Sequence, residues 1–215
     1  MASSTIVKKV SPIPGGSLPW HSAEGLPLTF WPWNRGEKTP RVTARLLRSE
    51  DRIHARFQVV EENVLARALE RQGEVWRDSC VELFLSVDGK SYFNFEINCI
   101  GTYLCYRCRP GREFDPDPPG FAGTDFAVAT SLPRGLAIPE PVPCPPGGYT
   151  VEFSIPFSFT ESVLGAGAPR DGTVWKANLY KCGDDLPHPH WGAWSEVRAE
   201  KPDFHRPEFF GQLVF

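Results

Sequence analysis

Two short runs joined by a turn signal constrain the fold more than anything else in the chain: Cys80-Val81-Glu82-Leu83-Phe84-Leu85-Ser86 and Tyr92-Phe93-Asn94-Phe95-Glu96-Ile97-Asn98, with Asp88-Gly89 between them. Side chains of a strand point alternately to its two faces. Val81, Leu83 and Leu85 in the first run, with Phe93, Phe95 and Ile97 in the second, therefore make one apolar face that must be buried. The opposite face groups Glu82, Phe84, Tyr92, Asn94, Glu96 and Asn98, and is left for solvent or a ligand. Carboxylates, amides and rings with almost no lysine suit a ligand rich in hydroxyls. Carboxylates and amides bond the hydroxyls, and flat rings cover the apolar C–H patches of a sugar, each Å² removed from water contributing roughly 25 cal/mol. Trp76, just before the first run, is placed either as such a ring or as a tryptophan capping the core edge.

The same period of two recurs along the chain. Ile53, Ala55, Phe57 and Val59 alternate with His54, Arg56 and Gln58, which puts His54 on the surface, and Val42–Leu47 reads as the hairpin partner across Ser49-Glu50-Asp51. Tyr149, Val151, Phe153 and Ile155 alternate with Glu152 on the polar side, and Pro156 closes that strand. Trp175, Ala177 and Leu179 share one face, Lys176, Asn178 and Tyr180 the other. Gly101 bends the chain into Thr102–Tyr106, a short strand lies around Phe126–Val128, and residues 211–215 form a last strand that has to pair. Residues 61–71 are expected as the single short helix, ended at Gly73. The Pro/Gly-rich stretches 110–123 and 133–148 read as long loops, because proline cannot supply ladder hydrogen bonds. Many short alternating strands with little helix predict an all-β fold, an antiparallel β-sandwich of jelly-roll or immunoglobulin-like type with the polar row on a concave face.

At 215 residues the chain fits one domain, 1–215, and can bury about 70% of its unfolded surface. Net charge is −3, with no basic run to track phosphates and no polybasic patch for a membrane, so neither nucleic acid nor membrane is an expected partner. Residues 1–10 lack the apolar stretch of a secretory signal and no later segment could span a bilayer, so the chain as given reads as unexported and cytoplasmic. Of the six cysteines, Cys99 continues an apolar strand face and reads as a buried free thiol. Cys105 and Cys108 have zinc-knuckle spacing, and Cys182, His188 and His190 could complete a set. An extended 103–108 nevertheless points the two thiols to opposite faces, which argues against zinc there.

Trp76-x-Asp78-Ser79-x-Val81-Glu82-x-Phe84, then Tyr92-x-x-Phe95-x-x-Asn98 with Gly101, then Val151-Glu152-Phe153-Ser154-Ile155-Pro156, and finally residues 204–213 (FHRPEFFGQL) together resemble family 9 carbohydrate-binding modules and their DOMON-like relatives. The resemblance covers most of the chain. It implies a non-catalytic β-sandwich that grips a glycan end between two rings. By position it implies Trp76 as the first ring, Phe204 as the second, Glu82 as the acidic hydroxyl partner and Asn98 as the amide. Glu96 stands where the family has an arginine, exchanging a fixed cation for a carboxylate. The expected carbohydrate-binding set is thus Trp76, Glu82, Glu96, Asn98, Asn178 and Phe204. The resemblance also implies structural calcium and a setting in glycan degradation, beside or attached to a glycoside hydrolase. Asp115/Asp117, Glu61/Glu62 and Asp184/Asp185 could each contribute oxygens to a calcium ion, although none has EF-hand spacing.

Two other readings use the same residues. Glu82, Glu96 and Glu152 could supply the carboxylate pair of a glycoside-processing enzyme. Some DOMON-like relatives bind haem; with Met1 the single methionine, ligation would fall to His188, His190 or His205, against the plainer reading of that loop as a turn packed by Trp191 and Trp194.

Overall fold

The computed structural model describes residues 3–11, 17–34, 38–116 and 126–215. Asp117, the remainder of the 110–123 stretch and Met1–Ala2 lie outside these. The larger sheet runs, in spatial order, Ser4–Ile6 (β1), Gly211–Val214 (β16), Val174–Gly183 (β14), Cys80–Ser86 (β7), Tyr92–Asn98 (β8), Tyr103–Arg109 (β9) and Glu113–Pro116 (β10), with His190–Ala193 (β15) also pairing with β14. The smaller sheet runs Ala127–Thr130 (β11), Tyr149–Pro156 (β13), Arg52–Val60 (β5), Arg41–Arg48 (β4) and Lys8–Lys9 (β2), with Leu26–Pro27 (β3) on β4. Asn63–Ala66 (β6) and Ile138–Pro143 (β12) form a separate pair. Pairing is antiparallel except between β1 and β16 and between β2 and β4. This is a β-sandwich.

The alternation explains the packing. Val81, Leu83, Leu85, Phe93, Phe95 and Ile97 face Ile53, Ala55, Phe57, Val59, Val151, Phe153 and Ile155 across a single inter-sheet core. The outer face of the larger sheet departs from expectation, because β7 and β8 are buried at every position. Phe84, Tyr92 and Tyr180 make that face sticky enough to recruit a second apolar layer, with Phe204 and Phe210 of the C-terminal segment and Phe30 and Trp33 of the N-terminal one. What stays open is a cavity between sheet and cover.

Three local expectations are corrected. Residues 61–71 are not a helix: Asn63–Ala66 is a strand that buries Val64 and Ala66 in the core while pairing with β12. The helix is instead Phe157–Leu164 (α1), entered from Pro156 and stopped by Gly165 in the left-handed region at φ 71°. The proline-rich segment 138–143 is a strand with an irregular register, and Glu113–Pro116 pairs with β9. His54 does point outward, yet it is buried and bonded to Ser49 Oγ at 3.1 Å. Among the described residues no helix is long and apolar enough to cross a membrane.

Candidate functional site

The outer face of β7, β8 and β9 floors a cavity of about 430 Å³. Glu82 and Glu96 are direct cross-strand partners, so their carboxyl groups share one floor from which water is largely excluded. Burial pushes Glu82 well above the usual carboxylate range, with Cys182 and Glu96 adding to the rise. Burial likewise lifts Glu96 to about 7, the Asn94 amide opposing. Glu96 Oε1 accepts from Asn94 Nδ2 at 2.8 Å, while Oε2 is buried without a partner. Glu82 Oε1 accepts from the Cys182 thiol at 2.9 Å.

Two half-buried tryptophans form one wall, and both are fixed by the turn that follows β14. Trp191 Nε1 donates to Asp184 Oδ1 at 2.8 Å. The Trp76 carbonyl accepts from Asp184 N at 3.3 Å and from Cys182 Sγ at 3.4 Å. Trp76 is itself carried by a 3₁₀ turn, Val75–Arg77. The next residue, Asp78, anchors that turn by accepting from Arg67 N, Ala68 N and Asn98 Nδ2 at 2.8–3.0 Å.

The opposite wall is Tyr106 and Phe114 from the β9–β10 hairpin with Pro202, Asp203, Phe204 and His205. Arg112 clasps Asp203 through two hydrogen bonds, 2.9 and 3.0 Å, joining hairpin to C-terminal segment. His205 Nδ1 lies 2.9 Å from Tyr92 Oη, and burial lowers its pKa to about 4, so the ring is neutral.

Of the six expected site residues, Trp76, Glu82, Glu96 and Phe204 line this cavity together. Phe204 is only 8% exposed, stacked on Tyr180 with centroids 4.0 Å apart, so it offers little free ring face. Asn98 and Asn178 are corrections. Both are fully buried and lie off the cavity. Asn98 donates to Ala68 O and Asp78 and accepts from Ile100 N and Thr102 N. Asn178 staples β14 to Ser195 through Ser195 O and N. These bonds go to backbone and, for Asn98, to the Asp78 carboxylate.

Glu152 also lies elsewhere, on the outer face of the smaller sheet beside Arg56 and Trp20 Nε1. Cys105 packs in the inter-sheet core and Cys108 in the outer layer, so the knuckle spacing brings no ligands together. His190 and His205 already bond protein groups. Four described members of the acidic pairs are already engaged, while Asp117 lies outside the described residues. Asp115 is held by Arg109, Asp184 by Trp191, Asp185 by Arg67 and Arg77, and Glu61 by Lys181 and Tyr149. Sequence reasoning did not place Trp191, Asp184, Tyr106, Phe114, Arg112 or Asp203 at the site. A tryptophan and an aspartate bracketing the turn after β14 were a local signal; nothing local could put Asp203 against Arg112.

Comparison with known proteins agrees with this architecture. The model of "Carbohydrate-binding family 9" matches residues 21–118 and 147–215. A protein of Bacteroides uniformis ATCC 8492 for which carbohydrate binding is proposed is similar at 30% identity and TM-score 0.86, the match covering 100% of both chains. A family 9 carbohydrate-binding module of Caldicellulosiruptor kristjanssonii shares the fold at 16% identity and TM-score 0.60. The match covers 99% of this chain, with 93% of the module in its cellotriose complex and 95% in its glucose complex. No curated protein matches the chain. Since the family model spans well over half of the residues and every residue lining the tryptophan-bearing cavity falls within it, this chain belongs to carbohydrate-binding family 9.

Proposed function

We propose that the chain holds a sugar ring in the cavity floored by Glu82 and Glu96, with Trp76 and Trp191 against its C–H faces and no covalent chemistry. The observation that carries this reading is the meeting of two tryptophans, Trp191 held by its indole N–H and Trp76 by its backbone carbonyl, with a buried carboxyl pair around one opening of about 430 Å³, within the range of roughly 300–1,000 Å³ for small-molecule sites. Rings locked before the ligand arrives lose little freedom on binding. Glu96 Oε2, buried and unpartnered, is a polar atom whose desolvation a hydroxyl donor would offset. The expected roles of Trp76, Glu82 and Glu96 belong to this proposal; Phe204 acts as backing for the wall.

An enzymatic reading draws less support. A glycosidase needs carboxyl groups flanking the scissile bond, and Glu82 and Glu96 sit side by side on one floor, with Glu152 remote. The family is one of non-catalytic binding modules. Because the Caldicellulosiruptor module was solved with glucose and with cellotriose, these are the first ligands to try. Isothermal calorimetry against both, and against a panel of other monosaccharides, should show saturable millimolar-or-better binding that Trp76→Ala removes. Absence of heat for every sugar would overturn the proposal, as would unchanged affinity in the variant.

A further inference from the structure

Among the described residues, one group of side chains with metal-ligating atoms converges: Cys80, Glu82 and Cys182, whose ligand atoms all lie within 4.8 Å of one another. We propose that these three residues bind a thiophilic divalent ion of the zinc class at the base of the cavity. Rigid strand geometry brings them together. Cys80 and Cys182 are directly opposed across the β7–β14 ladder, and Glu82, two residues along β7, points to the same face. Their placement therefore needs no loop to close. The Cys182 sulfur and Glu82 Oε1 are 2.9 Å apart, and the cluster is compact enough to surround a centre with Zn–S of about 2.3 Å and Zn–O of about 2.0–2.2 Å.

The donor set chooses the ion. Two sulfurs and one carboxylate oxygen are wrong for calcium or magnesium, which take oxygen ligands, and suit zinc. All three residues are buried, at 0, 2 and 2% exposure, as ligands of a tightly held ion are. Without the ion, burial favours the protonated thiols and carboxyl. Binding exchanges three protons for one dication, M²⁺ + 2 RSH + RCOOH giving [M(SR)₂(OOCR)]⁻ + 3 H⁺, and leaves a single negative charge in place of three uncharged polar groups. Three ligands leave one tetrahedral position free. Glu82 and Cys182 line the cavity, so that position opens towards it and can take water or a ligand hydroxyl. In the metal-free protein the Cys182 thiol donates to the Trp76 carbonyl, and loss of that proton on binding links the ion to the tryptophan wall. The metal site shares Glu82 with the sugar cavity but adds the two sulfurs, and it can be tested without any sugar.

The test uses the full chain, reduced, stripped with chelator and titrated anaerobically with cobalt(II) alone. One equivalent should bring up a thiolate-to-cobalt charge-transfer band with intense tetrahedral ligand-field bands, and one equivalent of zinc should bleach both. Cys182→Ala and Cys80→Ala should each remove most of the charge-transfer intensity, and Cys105→Ala should leave it intact. Glu82→Gln keeps both sulfurs and should weaken cobalt binding at least tenfold while the sulfur band remains at saturation. A wild-type titration without a charge-transfer band overturns the proposal, whether or not the variants fold. So does a band that survives removal of both Cys80 and Cys182.

Discussion

On the inter-sheet side of β14, Lys181 Nζ forms an ion pair with Glu61 Oε2 at 2.9 Å, donates to the Cys182 carbonyl at 2.7 Å and lies 2.9 Å from His190 Nε2, and Tyr149 Oη donates to Glu61 Oε1 at 2.7 Å. His190 Nδ1 lies 3.0 Å from the His188 carbonyl, and its Nε2 also lies 3.3 Å from Glu61 Oε2. On the other face of the same sheet, Glu82 and Glu96 are also buried, and among the described residues neither forms an ion pair, the nearby Arg112 being taken up by Asp203. The outcomes are opposite. Glu61 is held down at about 2, its burial outweighed by Lys181, His190 and Tyr149, while Glu82 and Glu96 are pushed up. A buried carboxyl supplied with a cation is a structural strut; one denied a cation keeps its hydrogen-bonding capacity for something that arrives later. Each side also abuts a cavity of similar size, about 440 Å³ beside Glu61 and about 430 Å³ above Glu82, so size does not separate them.

The largest expected effect comes from breaking the strut. Lys181→Met leaves Glu61 buried beside Tyr149 with no charge partner and should cost about 3–5 kcal/mol, read from the urea midpoint; a loss under 1 kcal/mol would show the two sides to be alike. Acid should reach the same interaction. Glu61 has its folded pKa below its unfolded one, so its contribution is complete above about pH 4.5 and disappears as pH falls through about 2. The contribution is about 3 kcal/mol, and Glu61→Gln should flatten that part of the pH–stability curve. Glu96 should behave in the reverse sense. Its folded pKa is raised to about 7, so it favours folding most below about pH 4.5 and progressively less as pH rises through 7. Metal-free Glu96→Gln should therefore match the parent near pH 4 and exceed it by about 3 kcal/mol at pH 8, checked by paired denaturation curves. Trp76→Ala should weaken sugar binding at least tenfold, about 1.4 kcal/mol, with stability nearly unchanged. Smallest of all, Arg112→Ala removes an exposed pair with Asp203 and should shift stability by less than about 1 kcal/mol.

The core was legible because burial on one side of a sheet imposes a period of two, and Val81, Phe93, Phe57 and Phe153 obey it. Parity has no opinion on what covers the other side. It put Asn98 and Asn178 on the same outward register as Glu82 and Glu96, and the two amides turned inward to neighbouring backbone while the two carboxyls kept an opening. Only long-range contacts decide that: Ser195 lies 17 residues from Asn178, and Asp203 lies 91 from Arg112. Residues 61–71 misled for a related reason. Val64, Leu65 and Ala66 are compatible with a helix, and a partner some 75 residues away, Ile138–Pro143, makes them a strand. The helix that does form, at Phe157, begins right after a proline and ends at a left-handed glycine, the punctuation that helix ends favour.

That partner strand has a second role. Prolines occupy positions 139, 141 and 143; Cys144 N bonds Glu62 O on the paired side, so Pro143 sits on the free side, and none of the three offers an N–H to a further strand. A passing extended chain finds nothing there to zip onto. That edge is thereby a poor template for pairing with a strand of another molecule.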